Sequence, residues 1–226
     1  MLRLKKLLSF IFNLIFPRSC INCDKFLPGS YYTGFCLDCI KLTKEFNIKQ
    51  HQAICNILED KIIDDFNARF VYNDVISKII TNLKFHDQPH YAEILANLLT
   101  KQVNGFKSEN CLLVPVPVHT KRLLKRKYNQ ASLLTKYISK NTDIKYSNNA
   151  LKRVKHTPHQ TGQSAKIRKK QLKSAFLAKS TIIKDKDIIL IDDVFTTGST
   201  VKLCAQELKD KGAKSVKVVT IAYTAL

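Results

Sequence analysis

The sequence predicts an α/β protein, a parallel sheet flanked by helices, with a small four-cysteine module in front of it. Three observations carry this expectation. The stretch I-I-L-I-D-D-V-F-T-T-G-S-T, from Ile188 to Thr200, reads as a buried strand, a loop of small hydroxyl residues and the start of a helix. Segments of strand and helix character alternate between residue 68 and residue 223. Near the N-terminus, Cys20, Cys23, Cys36 and Cys39 are spaced C-x2-C-x12-C-x2-C.

The chain opens on M-L-R-L-K-K-L-L-S-F-I-F-N-L-I-F-P. This imitates a signal peptide, but Asn13 interrupts the apolar stretch and no small-x-small cleavage site follows. An amphipathic or buried helix ending before Pro17 is the expectation, with contact at a membrane surface as the alternative. No apolar run approaches the about 20 residues of a membrane span, so no integral membrane span and a cytoplasmic location are expected. In the cysteine module, each C-x2-C offers two thiolates to one ion, and two such knuckles complete a tetrahedral zinc site. Gly29 and Gly34 supply turns to the hairpin between them. Disulfides are the alternative, and a reducing compartment favours zinc over them. Four thiolates leave no open position, so the Zn²⁺ would be structural. Cys55, Cys111 and Cys204 read as ordinary buried cysteines. His51 and Cys55 could be further ligands, although their spacing fits no zinc pattern.

A lysine-rich helical stretch, Lys41 to Lys49, follows the module, and a first unit ends near residue 60. A-R-F-V-Y at 68–72 reads as a strand. The next segment places Val75, Ile76, Ile79, Ile80 and Leu83 on one helical face. Gln88 to Val103 forms another amphipathic helix, with Tyr91, Leu95, Leu98 and Leu99 inward. C-L-L-V-P-V-P at 111–117 is a buried strand stopped by its prolines. Asn129 to Lys140 and Ser164 to Lys173 are expected helices. Val201, Cys204, Ala205 and Leu208 fall at i, i+3, i+4 and i+7 of a further helix, and Ser215 to Tyr223 is a terminal strand.

Chemistry concentrates at Ile188 to Thr200. Backbone N–H groups and hydroxyls of Thr196, Thr197, Gly198, Ser199 and Thr200 can converge on a phosphate at the positive end of the following helix. Asp192 and Asp193, when ionised, accept hydrogen bonds and suit sugar hydroxyls or a hydrated Mg²⁺. A phosphate at one end and a diol or metal at the other describes a ribose 5-phosphate. A P-loop NTPase is excluded: the six glycines form neither G-x-x-x-x-G-K-[ST] nor G-x-G-x-x-G.

The formal net charge is +20. From His119 to Lys173 there are 16 Lys or Arg and one acid, Asp143, so this segment holds +15 of it. A compositional habit of the genome would spread lysine evenly; this concentration attracts polyphosphates, nucleic acid included. If the strands at 111–116 and 188–192 are neighbours, the loop after Pro117 brings Lys121, Arg122, Lys125, Arg126 and Lys127 to the phosphate-binding edge.

The thirteen residues resemble the phosphoribosyl-pyrophosphate (PRPP) motif of type I phosphoribosyltransferases. That resemblance implies a type I phosphoribosyltransferase-like sheet, with the acidic pair on the ribose hydroxyls and T-T-G-S-T on the 5′-phosphate. With the cysteine module in front, the chain resembles the ComF family of competence-associated, phosphoribosyltransferase-like proteins. The likeness includes P-R-S-C-I-N-C, F-V-Y, I-I-T-N-L-K-F, L-V-P-V-P-V-H, R-L-L-K-R-K-Y-N-Q-A, Arg153 to Arg168 with Gln160, and A-F at 175–176. Two departures are visible: Lys127 stands where the family usually has glycine, and Gln171 where it usually has asparagine. The implied organisation is an N-terminal helix plus zinc-binding module over residues 1–60 and a phosphoribosyltransferase-like domain over 61–226. The implied role lies in natural transformation, handling of single-stranded DNA, or use of external DNA.

Three functions compete at this point. The first is a phosphoribosyltransferase, a glycosyltransferase of unknown acceptor that displaces pyrophosphate from Mg²⁺-bound PRPP. Asp192, Asp193 and Thr196 to Thr200 would bind PRPP, and Arg126, Gln130 and Arg168 would be catalytic contacts to pyrophosphate or acceptor. The second is a single-stranded-DNA-binding accessory protein. Lys121, Arg122, Lys125, Lys166, Lys169 and Lys170 would track the strand, with Tyr128, Tyr137 and Tyr146 as stacking candidates. The third is a scaffold that holds DNA-uptake or recombination proteins through the zinc module.

Overall fold

The computed structural model describes residues 19–27, 34–57, 62–85, 91–119, 123–124, 127–154 and 175–224. A short helix, α1 (Leu37–Lys41), leads to strand β1 (Lys44–Glu45) and helix α2 (Ile48–Ile57). Then come β2 (Asp65–Val71), α3 (Asp74–Phe85), α4 (Tyr91–Asn104), β3 (Cys111–Pro115) and α5 (Gln130–Thr142). The hairpin strands β4 (Leu151–Arg153) and β5 (Phe176–Ala178) precede α6 (Ser180–Ile183), β6 (Asp187–Phe195), α7 (Ser199–Asp210) and β7 (Ser215–Tyr223).

The main sheet has the order β1-β2-β7-β6-β3, and β4 pairs with β5 in a sheet of their own. β2, β7, β6 and β3 run parallel, while β1 pairs antiparallel with β2. The strand containing Cys111 to Pro115 does lie beside the acidic strand, in the register Cys111↔Asp187 to Pro115↔Ile191. The C-terminal ends of β3 and β6 therefore meet at one edge, where an α/β sheet binds ligands. Pro115 is tolerated because β3 is an edge strand of this sheet, where the missing N–H breaks no inner ladder.

The run Ile188 to Ile191 is buried on both sides because successive side chains enter different layers. Ile189 and Ile191 join Ile76, Ile79 and Leu83 of α3, Leu95 and Leu99 of α4, and Leu134 and Ile138 of α5. Ile188 and Leu190 join Phe66, Ile54 of α2, and Val201, Cys204 and Leu208 of α7. The apolar stripes expected on α3 and α7 face the core: on α3 Ile76, Ile79, Ile80 and Leu83 are buried and Val75 is half-buried against them, and on α7 Val201, Cys204, Ala205 and Leu208 are buried.

Several boundaries differ from expectation, each for a local reason. The stretch Lys41 to Lys49 is not one helix. The Thr43 hydroxyl donates to the Ile40 carbonyl at the end of α1, β1 follows with Glu45 paired to Arg69, and the Asn47 side chain accepts from Lys49 and Gln50 N–H to start α2. The acidic strand does not end at Asp192: pairing continues through Val194↔Ala222 and Phe195↔Tyr223, so both carboxylates lie inside it. Cys55 is exposed rather than buried, beside His51, whose Nε2 lies 2.8 Å from Asp65 Oδ1. The expected helix at Ser164 to Lys173 and the N-terminal segment before Pro17 lie outside the described residues.

Candidate ribose-phosphate site and four-cysteine centre

At the end of β6 the chain turns through Thr196, Thr197 and Gly198 into α7. Thr196, Thr197, Ser199 and Thr200 are exposed, while Gly198 and Val201 are buried. Asp192, Val194 and residues Thr196 to Val201 line a small open cup. Gly198 is the N-cap of α7, with φ of 70° and no side-chain cap hydrogen bond. The Ser199 N–H reaches Thr197 Oγ1 at a long 3.5 Å, a weak contact that an anion at this helix start can replace. Thr197 and Ser199 hydroxyls lie 2.8 Å apart and add donors to the same rim. The N–H of Thr224 donates to the Phe195 carbonyl at 2.9 Å, which fixes the strand end from which the loop departs.

The acidic pair is split by the pleat of the strand. Asp192 faces the cup, on the layer of α7. Asp193 faces the other layer, 9% exposed, with its Oδ2 2.7 Å from Lys84 Nζ on α3. The Asp193 N–H donates to Asp192 Oδ1 at 2.9 Å. Burial, and then the charge of Asp193, push the Asp192 carboxyl up to about 8, against the opposing pull of the Asp193 N–H and Lys84. The folded protein thus keeps a proton on Asp192 that an unfolded carboxyl, with pKa about 3.9, releases. Stability must fall as pH rises from the unfolded value towards about 8. Asp192→Asn is therefore expected to raise the thermal midpoint progressively between pH 5 and pH 8. Each kcal/mol relieved is worth about 2–4 °C in a chain of this size. Melting curves of wild type and variant that stay parallel over that range would contradict the assignment.

On the neighbouring strand, the end of β3 is tied to α5. Asn129 caps α5 by accepting from the Ala131 N–H at 3.0 Å, and its amide donates to the Val116 carbonyl at 3.1 Å. A cap of this kind contributes about 1 kcal/mol. Tyr128 donates its hydroxyl to the Leu83 carbonyl at 2.7 Å, joining the loop after β3 to the last turn of α3. Gln130, 2% exposed, is the first residue of α5. Lys127 has φ of 64°. A left-handed backbone costs a non-glycine residue about 1–2 kcal/mol, so glycine would suit this position better than lysine.

The four cysteines form the second centre. Sγ atoms of Cys20, Cys23, Cys36 and Cys39 all lie within 4.8 Å of one another, with Cys23 and Cys36 at 3.7 Å. Zn–S bonds of about 2.3 Å in a tetrahedron put sulfurs about 3.8 Å apart. The donor set therefore fits a structural metal such as zinc. The first knuckle closes through Cys20 N–H to Lys25 carbonyl and Asp24 N–H to Cys20 carbonyl, both 2.9 Å, with Asp24 at φ 60°. The second sits on the start of α1, where Cys36 is the N-cap and its sulfur accepts from Cys39 N–H at 3.4 Å. Without a cation the four thiols cannot ionise together. Burial raises Cys20, but N–H donors of Cys36, Asn22 and Cys23 outweigh it and bring the thiol to about 6. The Asn22 amide lowers Cys39, yet burial and the sulfurs of Cys36, Cys23 and Cys20 carry it to about 12.

Residues 83–225 match the family of the phosphoribosyl transferase domain. Competence protein F of Haemophilus influenzae is 34% identical over 210 residues, which covers 90% of this chain and 89% of that protein. The chain belongs to the ComF family. DNA utilization protein YhgH of Escherichia coli K12 is 32% identical over 158 residues, covering 68% of this chain and 69% of that one. Competence protein ComFC of Streptococcus pneumoniae is 26% identical, covering 93% and 83%.

In this ComF-family protein, the structure brings Asp192 and residues Thr196 to Thr200 together in one cup. It sets Asp193 on the opposite face of the sheet, and Gln130 at the start of α5. Arg126, Arg168, Lys121, Arg122, Lys125, Lys166, Lys169 and Lys170 lie outside the described residues. Tyr128 is part-buried and engaged with α3, which removes it from the stacking candidates, while Tyr146 is 38% exposed and Tyr137 lies under the Lys140 ammonium. Lys84 was not among the sequence candidates. Its one signal is its place directly after Leu83 in I-I-T-N-L-K-F, a lysine next to the apolar stripe. Among the described residues, no helix is long and apolar enough to cross a membrane.

Proposed function

We propose that the cup at the end of β6 binds a ribose 5-phosphate group, with PRPP as the ligand, in a protein that serves DNA uptake or the use of external DNA. One observation carries the reading: a glycine N-cap in the left-handed region, flanked by exposed hydroxyls and one carboxylate, opens the start of α7 to an anion. The phosphoribosyl transferase domain match and the names of the competence and DNA utilization relatives support it.

Thr196 to Thr200 receive the 5′-phosphate, and Asp192, which would give up its proton on meeting Mg²⁺, accepts from the ribose hydroxyls or from a water of Mg²⁺. Mg²⁺, arriving with pyrophosphate, would neutralise the charge that develops on a leaving diphosphate. In a phosphoribosyl transfer the protein's own work is orientation of the ribose and charge stabilisation beside C1, which needs no protein nucleophile. Arg126, Gln130 and Arg168 remain the proposed contacts to pyrophosphate or acceptor. Zn²⁺ in the four-cysteine centre is structural, with every position closed by thiolate. The charge of +15 between His119 and Lys173 favours single-stranded DNA as a second, polyanionic partner of the basic segment.

Calorimetric titration with Mg²⁺ and PRPP tests the ligand. Binding is expected in the wild type and is expected to be lost in Asp192→Asn. No heat with the wild type, or undiminished affinity in the variant, rejects the reading.

A further inference from the structure

We propose that Lys84 is a positioning residue for this site: it holds Asp193 on the α3 face of the sheet and so leaves Asp192 as the carboxylate that receives the sugar. The proposal rests on the ribose-phosphate reading above. Neighbouring residues of a strand point to opposite faces, but an aspartate near a strand end can turn towards solvent unless something retains it. Here the retaining group is a lysine whose Nζ lies 2.7 Å from Asp193 Oδ2, with side chains only 21% and 13% exposed. Solvent screens a pair this enclosed far less than a surface pair.

The lysine is itself held. It occupies the last turn of α3, where a cation also suits the helix dipole. The preceding residue, Leu83, is fully buried, and its carbonyl takes the Tyr128 hydroxyl at 2.7 Å. At the previous turns of the same helix, Lys78 donates to the Asn22 carbonyl inside the first cysteine knuckle. α3 is thus clamped to the cysteine module, to the loop after β3 and to the acidic pair.

The link to the cup is a backbone one. Asp192 Oδ1 accepts from the N–H of Asp193, the residue that Lys84 pins. The β6–β7 ladder holds this peptide in place, and Lys84 adds the hold on the Asp193 side chain beside it; releasing Asp193 lets that carboxylate leave the α3 face. It also leaves a buried charge without its partner, which the fold relieves by protonation or by swinging the side chain into the site.

A buried ion pair that serves folding alone makes a different prediction from one that positions a ligand group. The discriminating experiment titrates Mg²⁺ and PRPP into full-length wild type, Lys84→Met, Lys84→Arg, Asp193→Asn and the double variant Lys84→Met/Asp193→Asn, with a thermal melt of each. Lys84→Met and Asp193→Asn are each expected to weaken binding by about tenfold or more, and the double variant by no more than either single change. Lys84→Arg, which keeps the cation, is expected to stay within about threefold of wild type. The double variant buries no unpaired charge, so it is expected to melt close to wild type while still binding weakly. Wild-type affinity in Lys84→Met, recovery of affinity in the double variant, or losses that multiply there would each overturn the proposal while leaving the ribose-phosphate reading intact. Failure of the wild type to bind PRPP removes that reading, and the positioning role with it.

Discussion

Cys36→Ser is expected to remove the metal and a large part of the folding stability in one step. The reason is where the module sits. Cys20, Ile21, Phe35, Cys36 and Cys39 are buried in the same cluster as Ile76, Ile79, Leu83 and Leu95. Phe35 packs edge-on against Phe70 of β2 at 6.2 Å, and a side chain at Gly34 would meet Ile94 of α4 at 2.3 Å. The module is therefore part of the core that covers one face of the sheet. Structural zinc in small sites contributes an apparent ~10–16 kcal/mol to folding at neutral pH. That is comparable with the whole ~5–15 kcal/mol by which domains are stable, so losing even part of it is severe. The expected outcome is loss of one zinc per chain by elemental analysis and a thermal midpoint lower by more than about 10 °C. A chelator should move the wild type in the same direction. A variant that melts with the wild type would mean that the cysteines pack as small apolar residues and hold no structural ion.

Gly198→Ala is expected to abolish ligand binding while leaving the protein folded. Gly198 has φ of 70°, a conformation that costs alanine about 1–2 kcal/mol. Space adds to that cost: the new Cβ would lie 2.6 Å from Cζ and 3.0 Å from Cε2 of Phe195. Phe195 cannot yield, being fully buried with its ring 4.6 Å from that of Phe66. The loop must move instead, and it is the exposed part of the site. Overpacking of this sort costs about 1–3 kcal/mol, which a domain of this size survives. The phosphate contacts do not survive, because donors in an anion site act only when all aim at one point. A drop of more than about 100-fold in affinity for PRPP is expected by calorimetry, with a thermal midpoint lower by several degrees. Retained affinity would place the phosphate elsewhere on the molecule.

Both effects arise from features that the sequence announces plainly. The cysteine spacing and the run from Ile188 to Thr200 are local patterns: a knuckle closes within a few residues, and a strand, a glycine turn and a helix start follow one another in the chain. The apolar stripes of α3 and α7 are legible for the same reason, since their period is the period of the helix. The hairpin β4/β5 carries no local signal, because its strands are three residues each and pair across a long intervening segment. The break between α1, β1 and α2 was hidden by lysines that suit helix and surface strand alike. Cys55 looked buried by composition, yet it lies exposed beside His51.

The acidic pair shows the division most clearly. Two consecutive aspartates, a hydroxyl-rich loop and a glycine announce a phosphate and sugar site. Chain order alone made the two carboxylates equivalent. The fold separates them, because the strand continues to Phe195 and its pleat sends Asp192 to the cup and Asp193 to Lys84 on α3. Local chemistry can be read from neighbours in the chain. Which face each group occupies, and which distant cation meets it, depends on pairing between β6, β7 and β3 and on helices more than a hundred residues away.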